Sequence, residues 1–291
     1  MRTFDYKQFT RTTWASDILS YVGQIHEHKG RQEFYLNRNA AELQRLIEIA
    51  KIQSVDSSNA IEGILTTNTR INELMNKKTT PRNRDESEIL GYRDVLNTIH
   101  ENYEYIPLRV NYILQLHRDL YRYSYSSVGG KLKGVQNYIN IKTAAGSEYV
   151  LFTPLAPYET PDALENICSN YERALDACWL DELLLIPIFI SDFLCIHPFA
   201  DGNGRMSRLL TTLMLYRSGY QIGRYISLEK IIAETKQSYY DALRGISRGW
   251  HEGGNDYYPF IRYFLQILMR AYKDLDERLR LISDAKPTTV I

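Results

Sequence analysis

The chain has 291 residues, of which 44% are apolar, 24% charged and 12% aromatic; this is material for one large globular domain or two smaller ones and excludes a disordered or fibrous chain. Its 35 Lys and Arg balance 35 Asp and Glu, so it lacks the basic excess of a protein built mainly to grip nucleic acid. The longest apolar run, Leu183 to Ile190, falls far short of the roughly 20 residues of a membrane span, and the opening Met1-Arg2-Thr3-Phe4-Asp5 has no apolar core of a secretion signal. Cys168, Cys178 and Cys195 lack Cys-x-x-Cys spacing and suit reduced thiols, so a cytoplasmic protein free of membrane and nucleic acid is expected.

Taken in chain order, helical periodicity dominates and no fixed-period repeat appears. Leu43, Leu46, Ile47, Ala50 and Ile52 predict an amphipathic helix running toward Ser54, and Thr69 to Met75 a second. Lys77 to Arg84 is polar and contains Pro81, which predicts a connector. After Pro107, the residues Val110, Ile113, Leu114, His117 and Leu120 share a helix face, with His117 read as a core-edge histidine. Val135 to Ile141 and Tyr149 to Phe152 read as two strands of a long hairpin around Ala144-Ala145-Gly146-Ser147. Thr160-Pro161 predicts a cap and first-turn proline for a helix reaching about Trp179. Asp181 to Cys195 is apolar on all sides and predicts a buried central helix with Pro187 inside it. Further helices are expected over Met206 to Arg217, from a Ser227 cap to about Leu243, and from near Pro259 onward.

The chemistry concentrates in His197-Pro198-Phe199-Ala200-Asp201-Gly202-Asn203-Gly204-Arg205-Met206-Ser207-Arg208, between the buried helix and the next one. Two glycines around Asn203 allow a tight turn whose amides face outward at a helix N-terminus, a place that favours an anion such as phosphate. Arg205 and Arg208, three apart, can both reach phosphate oxygens. Asp201 offers a hard oxygen for magnesium, and His197 suits taking a proton from a hydroxyl near neutral pH. Each residue singly also fits a capped helix junction; a base, a carboxylate, two glycines and two arginines within twelve positions point to a site.

At these residues the sequence resembles the Fic family, whose signature His-Pro-Phe-x-Asp/Glu-Gly-Asn-Gly-Arg-x-x-Arg is matched at every fixed position from His197 to Arg208. The resemblance implies a mainly α Fido-type helical bundle with a β-hairpin flap and an N-terminal helical segment, and transfer of AMP from ATP to a protein hydroxyl. It implies His197 as base, Asp201 as magnesium ligand, Gly202, Asn203 and Gly204 as anion hole, and Arg205 and Arg208 on the ATP phosphates, Arg208 at the γ end. Ser58-Asn59-Ala60-Ile61-Glu62-Gly63 looks like the family's inhibitory motif, in which Glu62 pairs with Arg208 and misplaces the γ phosphate. Gly130 to Ile141 sits where the family has its flap, so Asn137, Tyr138, Ile139 and Asn140 are expected to dock the target by strand addition. This chain has Leu132-Lys133 where the family often has Tyr-Arg. Tyr239 and Tyr240 resemble a pair that lines the adenine site in some relatives, and aromatic core packing is the competing reading.

The expected organisation is an N-terminal helical region over 1–105, a catalytic domain over 106–264 and a helical tail over 265–291, which packs on the bundle or pairs with another copy. The lead expectation is a magnesium-dependent adenylyltransferase with Glu62 as its brake, acting on Ser, Thr or Tyr of a target protein or of itself. The rivals are transfer of phosphate, UMP or phosphocholine on the same scaffold, removal of AMP with Glu62 orienting a water, and an ATP-sensing module without catalysis. Gly204 argues against simple phosphate transfer, since the family branch known for it has lysine there.

Overall fold

The structure is a computed structural model that describes residues 2–36, 40–76, 79–142 and 148–284. Its helices are α1 (Ser16–Leu36), α2 (Ala40–Ile61), α3 (Asn68–Met75), α4 (Arg84–Asn102), α5 (Val110–Leu120), α6 (Thr160–Asp176), α7 (Glu182–Ile196), α8 (Asn203–Arg217), α9 (Leu228–Glu234), α10 (Lys236–Ser247) and α11 (Tyr258–Asp284). Between α5 and α6 lie the strands β1 (Ile139–Lys142) and β2 (Glu148–Phe152), paired antiparallel. The architecture is the expected one, mainly helical with a single two-stranded hairpin among the described residues. No helix among the described residues is long and apolar enough to cross a membrane.

The core follows from α7, whose residues Leu183 to Ile196 are all buried. A helix apolar all round has no face to leave in water, so α6, α8 and α11 pack against it. Asp181 caps its start, accepting from the Leu183 N–H at 2.9 Å. Pro187 has no N–H to give inside the helix, and the Ser191 hydroxyl donates to the Pro187 carbonyl at 2.7 Å. The buried carboxylate of this helix, Asp192, accepts hydrogen bonds from Tyr6, Trp250 and Tyr257, which ties the N-terminal segment to the core.

Several boundaries differ from expectation for local reasons. Helix α2 runs past Ser54 to Ile61 and so carries Ser58 on its last turn. Thr160 is the first residue of α6 rather than its cap, and its hydroxyl donates to the Ala156 carbonyl. Helix α6 stops at Asp176, before the expected Trp179. Ser227 caps α9 as expected, accepting from the Lys230 N–H at 3.0 Å, but that helix ends at Glu234 and α10 begins anew at Lys236. Helix α11 runs unbroken from Tyr258 to Asp284, so the expected division between 264 and 265 falls inside one helix.

The hairpin is shorter than the sequence predicts. Strand β1 opens at Ile139 rather than Val135; ahead of it the Lys133 N–H donates to the Pro198 carbonyl, and the side-chain amides of Gln136 and Asn137 donate to the Pro154 and Phe199 carbonyls, which anchors this stretch to neighbouring loops. Asn140 pairs with Val150 and Ile141 with Tyr149, with a bulge between Ile139 and Asn140. Asn137 and Tyr138 precede the strand, whereas Ile139 and Asn140 belong to it. The expected turn over Ala144 to Ser147 lies outside the described residues.

Candidate active site

Helix α7 ends at His197, whose backbone is left-handed at φ 52°, and α8 starts after Gly202, left-handed at φ +85°. A β-carbon at Gly202 would stand 3.0 Å from the Tyr121 hydroxyl, so glycine answers both a backbone and a space requirement there. Asn203 closes the loop on itself: its Oδ1 accepts from the Phe199 N–H at 2.9 Å and its Nδ2 donates to the Phe199 carbonyl at 2.7 Å. The Asn203 side chain thus braces the loop, which leaves the backbone N–H groups of the turn as the donors expected to face an anion. His117 supports the loop from α5. Its Nδ1 accepts from the Gly130 N–H, its Nε2 donates to the Asp201 carbonyl, and its ring stacks on Phe199 with centroids 3.7 Å apart. Burial holds His117 neutral, with its pKa lowered to about 4. It is a core histidine, as its position on α5 suggested.

His197 Nδ1 lies 3.3 Å from the Leu194 carbonyl, an oxygen that can only accept, so Nδ1 carries the proton and Nε2 keeps its lone pair. Burial lowers its pKa to about 4, with the Lys133 charge adding to the fall and the Leu194 carbonyl opposing it. A cavity of about 570 Å³ opens beside His197 between the hairpin and α10, a size suited to a small organic ligand. Gly204, Glu62, Ile139, Asn140, Tyr239 and Tyr240 share its wall with His197, so seven expected site residues from five parts of the chain meet at one space. Tyr239 is buried and touches Tyr240, Phe260 and Tyr263, while Tyr240 is 39% exposed. Tyr239 is therefore packed in the core and borders the cavity as well, and Tyr240 is the ring with free surface.

Arg208 is buried under the end of α2. Its Nε donates to Ser58 Oγ at 2.8 Å, and its Nη2 donates to the Ser58 carbonyl at 2.9 Å and to Glu62 Oε1 at 2.8 Å. Burial works against its charge, but Glu62 and the nearby phenols outweigh that and hold the guanidinium charged. Gly63 at φ +80° ends the helix in the left-handed conformation glycine accepts, which turns the chain just after Glu62. Lys236 at the start of α10 donates to the Ile61 carbonyl at 2.8 Å, a cation on the C-terminal end of α2. Glu62 also lies over Gly204, where a β-carbon would be 2.2 Å from its Oε1. The carboxylate thus sits on both the arginine and the glycine expected to meet phosphate.

Arg205 departs from its expected place on the phosphates. It is 1% exposed, 2.7 Å from Glu88 Oε2, and donates to the Tyr121 hydroxyl at 2.8 Å. A buried guanidinium needs a counter-ion, and α4 supplies it. Asp201 is exposed; its Oδ1 accepts from the Gly202 N–H at 2.7 Å and its Oδ2 from Arg84 at 3.1 Å. Among the described residues no three His, Cys, Asp or Glu side chains gather as a metal cage. A lone carboxylate beside an anion site still fits magnesium, which takes one or two protein carboxylates with phosphate oxygens and water.

Sequence reasoning missed Glu88, Arg84, Tyr121 and Lys133. Glu88 lies on α4, a stretch to which sequence reasoning assigns no element, and Tyr121 stands just past the end of α5; nothing local marks either. Lys133 did leave a signal, as the departure from the family's usual Tyr-Arg.

Residues 107–215 match the Fic/DOC family. Over 187 residues the chain is 27% identical to protein adenylyltransferase fic-1 of Caenorhabditis elegans, covering 62% of this chain and 32% of that one. Over 244 residues it is 23% identical to protein adenylyltransferase Fic of Nematostella vectensis, covering 81% of this chain and 51% of that one. The chain therefore spans between about a third and about half of the length of these relatives. Among solved structures it is similar to a Fic family protein from Desulfovibrio desulfuricans G20, with a TM-score of 0.73 at 22% identity over 96% of this chain and 78% of that one. A Fic domain containing signaling protein from Bacteroides thetaiotaomicron gives a TM-score of 0.72 at 24% identity, over 87% and 94%. At these identities the two structures establish the fold.

Proposed function

We propose, from the match of residues 107–215 to the Fic/DOC family, that the protein is a protein adenylyltransferase, transferring AMP from ATP to a hydroxyl of a target protein, and that Glu62 holds it inactive. The observation that carries this reading is the meeting of His197, Gly204 and Glu62 on the wall of one nucleotide-sized cavity that the hairpin, the end of α7 and α10 also line. His197 Nε2, unprotonated at neutral pH, takes the proton of a Ser, Thr or Tyr hydroxyl presented along β1. That oxygen bonds to the α phosphorus as the bond to pyrophosphate breaks, and the backbone from Gly202 to Gly204 faces the charge that develops. Bound at Asp201, magnesium would supply charge neutralisation on the phosphates. Tyr240 offers a ring face to the base.

In the arrangement described, Arg208 gives its Nε and Nη2 to Ser58 and Glu62, and its Nη1 is buried without a partner among the described residues, so the Glu62 carboxylate occupies the side of the guanidinium on which a γ phosphate would be held. Glu62 also adds negative charge over Gly204, where a phosphate would stand. Activation on this reading is the withdrawal of Glu62, after which Arg208 takes the γ phosphate and ATP adopts a productive pose.

The test is incubation of wild type, Glu62→Gly and Glu62→Gly/His197→Ala with magnesium and α-labelled ATP, alone and with cell lysate. Label on protein with Glu62→Gly, absent in the double variant, is expected. Label from γ-labelled ATP or from UTP in its place would assign a different donor chemistry, and ATP binding without label in any variant would make the protein a sensor.

A further inference from the structure

We propose that Lys133, together with Asn137, is a positioning residue for His197, fastening the base of the hairpin to the backbone on both sides of the histidine. The inference rests on His197 being the base of the reaction proposed above. The Lys133 ammonium donates to the Ile196 carbonyl at 2.9 Å and to Asn137 Oδ1 at 3.1 Å. The Lys133 N–H donates to the Pro198 carbonyl at 2.9 Å. The Asn137 amide donates to the Phe199 carbonyl at 3.0 Å, an oxygen that also accepts from Asn203. Carbonyls 196, 198 and 199 are thereby held by two residues one helical turn's spacing apart in sequence.

Three physical arguments give this bracket a task. His197 carries a left-handed backbone at φ 52°, a conformation that costs a residue with a β-carbon and persists only where the surroundings enforce it. The Ile196 carbonyl belongs to the last turn of α7, where it lacks a helical partner and faces a negative helix end, so a cation there satisfies both. Lys133 is only 3% exposed, and burying an ammonium is unfavourable unless its hydrogen bonds are needed. Asn137 stands two residues before β1, so a segment adding to that strand bears on the same residues that set the His197 ring. The charged groups facing His197 are Lys133 from the hairpin base, Glu62 from the end of α2 and Asp201 from the loop.

The test places Lys133→Met and Asn137→Ala each in the full-length Glu62→Gly chain and follows the His197 imidazole by nitrogen NMR, assigned by its loss in a His197→Gln chain. Loss of the single Nδ1–H tautomer in both variants is expected, with a titration moved to higher pH in Lys133→Met as the cation is removed. The single-turnover rate of AMP transfer should fall by about 10- to 100-fold while ATP affinity stays within about twofold, as for a group that acts on geometry rather than binding. An unaltered tautomer and titration, with transfer within about twofold of the parent, overturns the proposal. Should Lys133→Met fail to fold, the Asn137→Ala ring signal and rate decide the same question. Absence of transfer in the Glu62→Gly parent would defeat the adenylyltransferase reading alone, because the ring signal still reports on the bracket.

Discussion

Glu62 accepts a 2.8 Å hydrogen bond from Arg208 across 146 positions of sequence, joining the end of α2 to the second turn of α8. The pair is asymmetric: Arg208 is 4% exposed at its side chain and Glu62 is 35% exposed. The arginine is therefore a fixed part of the core, and the carboxylate is the member able to leave. Glu62→Gln keeps the shape and removes the charge, and should tighten ATP binding by roughly tenfold, the size of one charge-assisted contact. Calorimetric titration of wild type and variant with ATP checks this, and equal affinities would end the case for Glu62 as an electrostatic brake.

Gly204 should be coupled to Glu62 through space. A β-carbon there meets the far end of a flexible side chain, so Gly204→Ala is expected to fold and to displace the carboxylate. Its destabilisation should be larger in wild type than in a Glu62→Gly background by about 1 kcal/mol, the coupling expected of residues in contact. Denaturant melts of the four proteins measure it, and additive effects would contradict the close approach.

The pH dependence of transfer should lack a step at the ordinary histidine value. With its pKa lowered to about 4 by burial, His197 is already a free base at neutral pH. The rate in the Glu62→Gly chain should stay level as pH falls from about 8 to about 6, and decline only as pH approaches the histidine's own value. An acid limb centred near 6.5 would mean that His197 titrates as if exposed.

Arg205 and Glu88 should register in stability more than in nucleotide binding. Removing the carboxylate by Glu88→Ala leaves a buried guanidinium without its counter-ion and should cost about 3 kcal/mol. Arg205→Lys, which cannot keep the same planar contacts, should lower the melting temperature while ATP affinity changes by less than about threefold. A large affinity loss with an unchanged melt would return Arg205 to the phosphates.

Acid should destabilise the fold before its carboxylates are protonated. Burial lowers the pKa of His100 to about 3 and of His117 and His197 to about 4. Unfolded, these rings bind protons from about pH 6.5 downward. Between that value and about 4 the unfolded state holds more protons than the folded one, so stability falls as pH falls. Thermal melts from about pH 7.5 to about pH 5 should show a steadily dropping midpoint, and His117→Gln should flatten part of the slope if it folds. A midpoint independent of pH over that range would contradict neutral buried rings.

What the sequence determines here is local. The apolar run from Leu183 onward has no polar face, so it must be a central helix, and the glycines at 202 and 204 must make a tight turn before the next one. His197, Asp201, Gly204 and Arg208 belong to one continuous stretch, and the chemistry of a base beside an anion site is therefore legible without coordinates. The extent of the hairpin was less legible: Val135 and Gln136 have strand-like neighbours, and only the fold shows residues 133–137 bonded to the carbonyls of Pro154, Ile196, Pro198 and Phe199 ahead of a strand that begins at Ile139.

Tertiary structure alone decided which partner each charge keeps. Arg205 and Arg208 are three positions apart with the same side chain, yet one is held by Glu88 from α4 and the other by Ser58 and Glu62 from α2. No periodicity distinguishes them, because a helix surface offers neighbouring arginines to different sides and the counter-ions come from elements more than a hundred residues away. The same holds for Lys133, whose place under His197 exists only once the hairpin base has folded against the end of α7. A sequence records which groups are present and how they are spaced along one element; the pairing of buried charges is set by packing, since each must find an opposite charge or hydrogen-bond partner wherever the fold brings one.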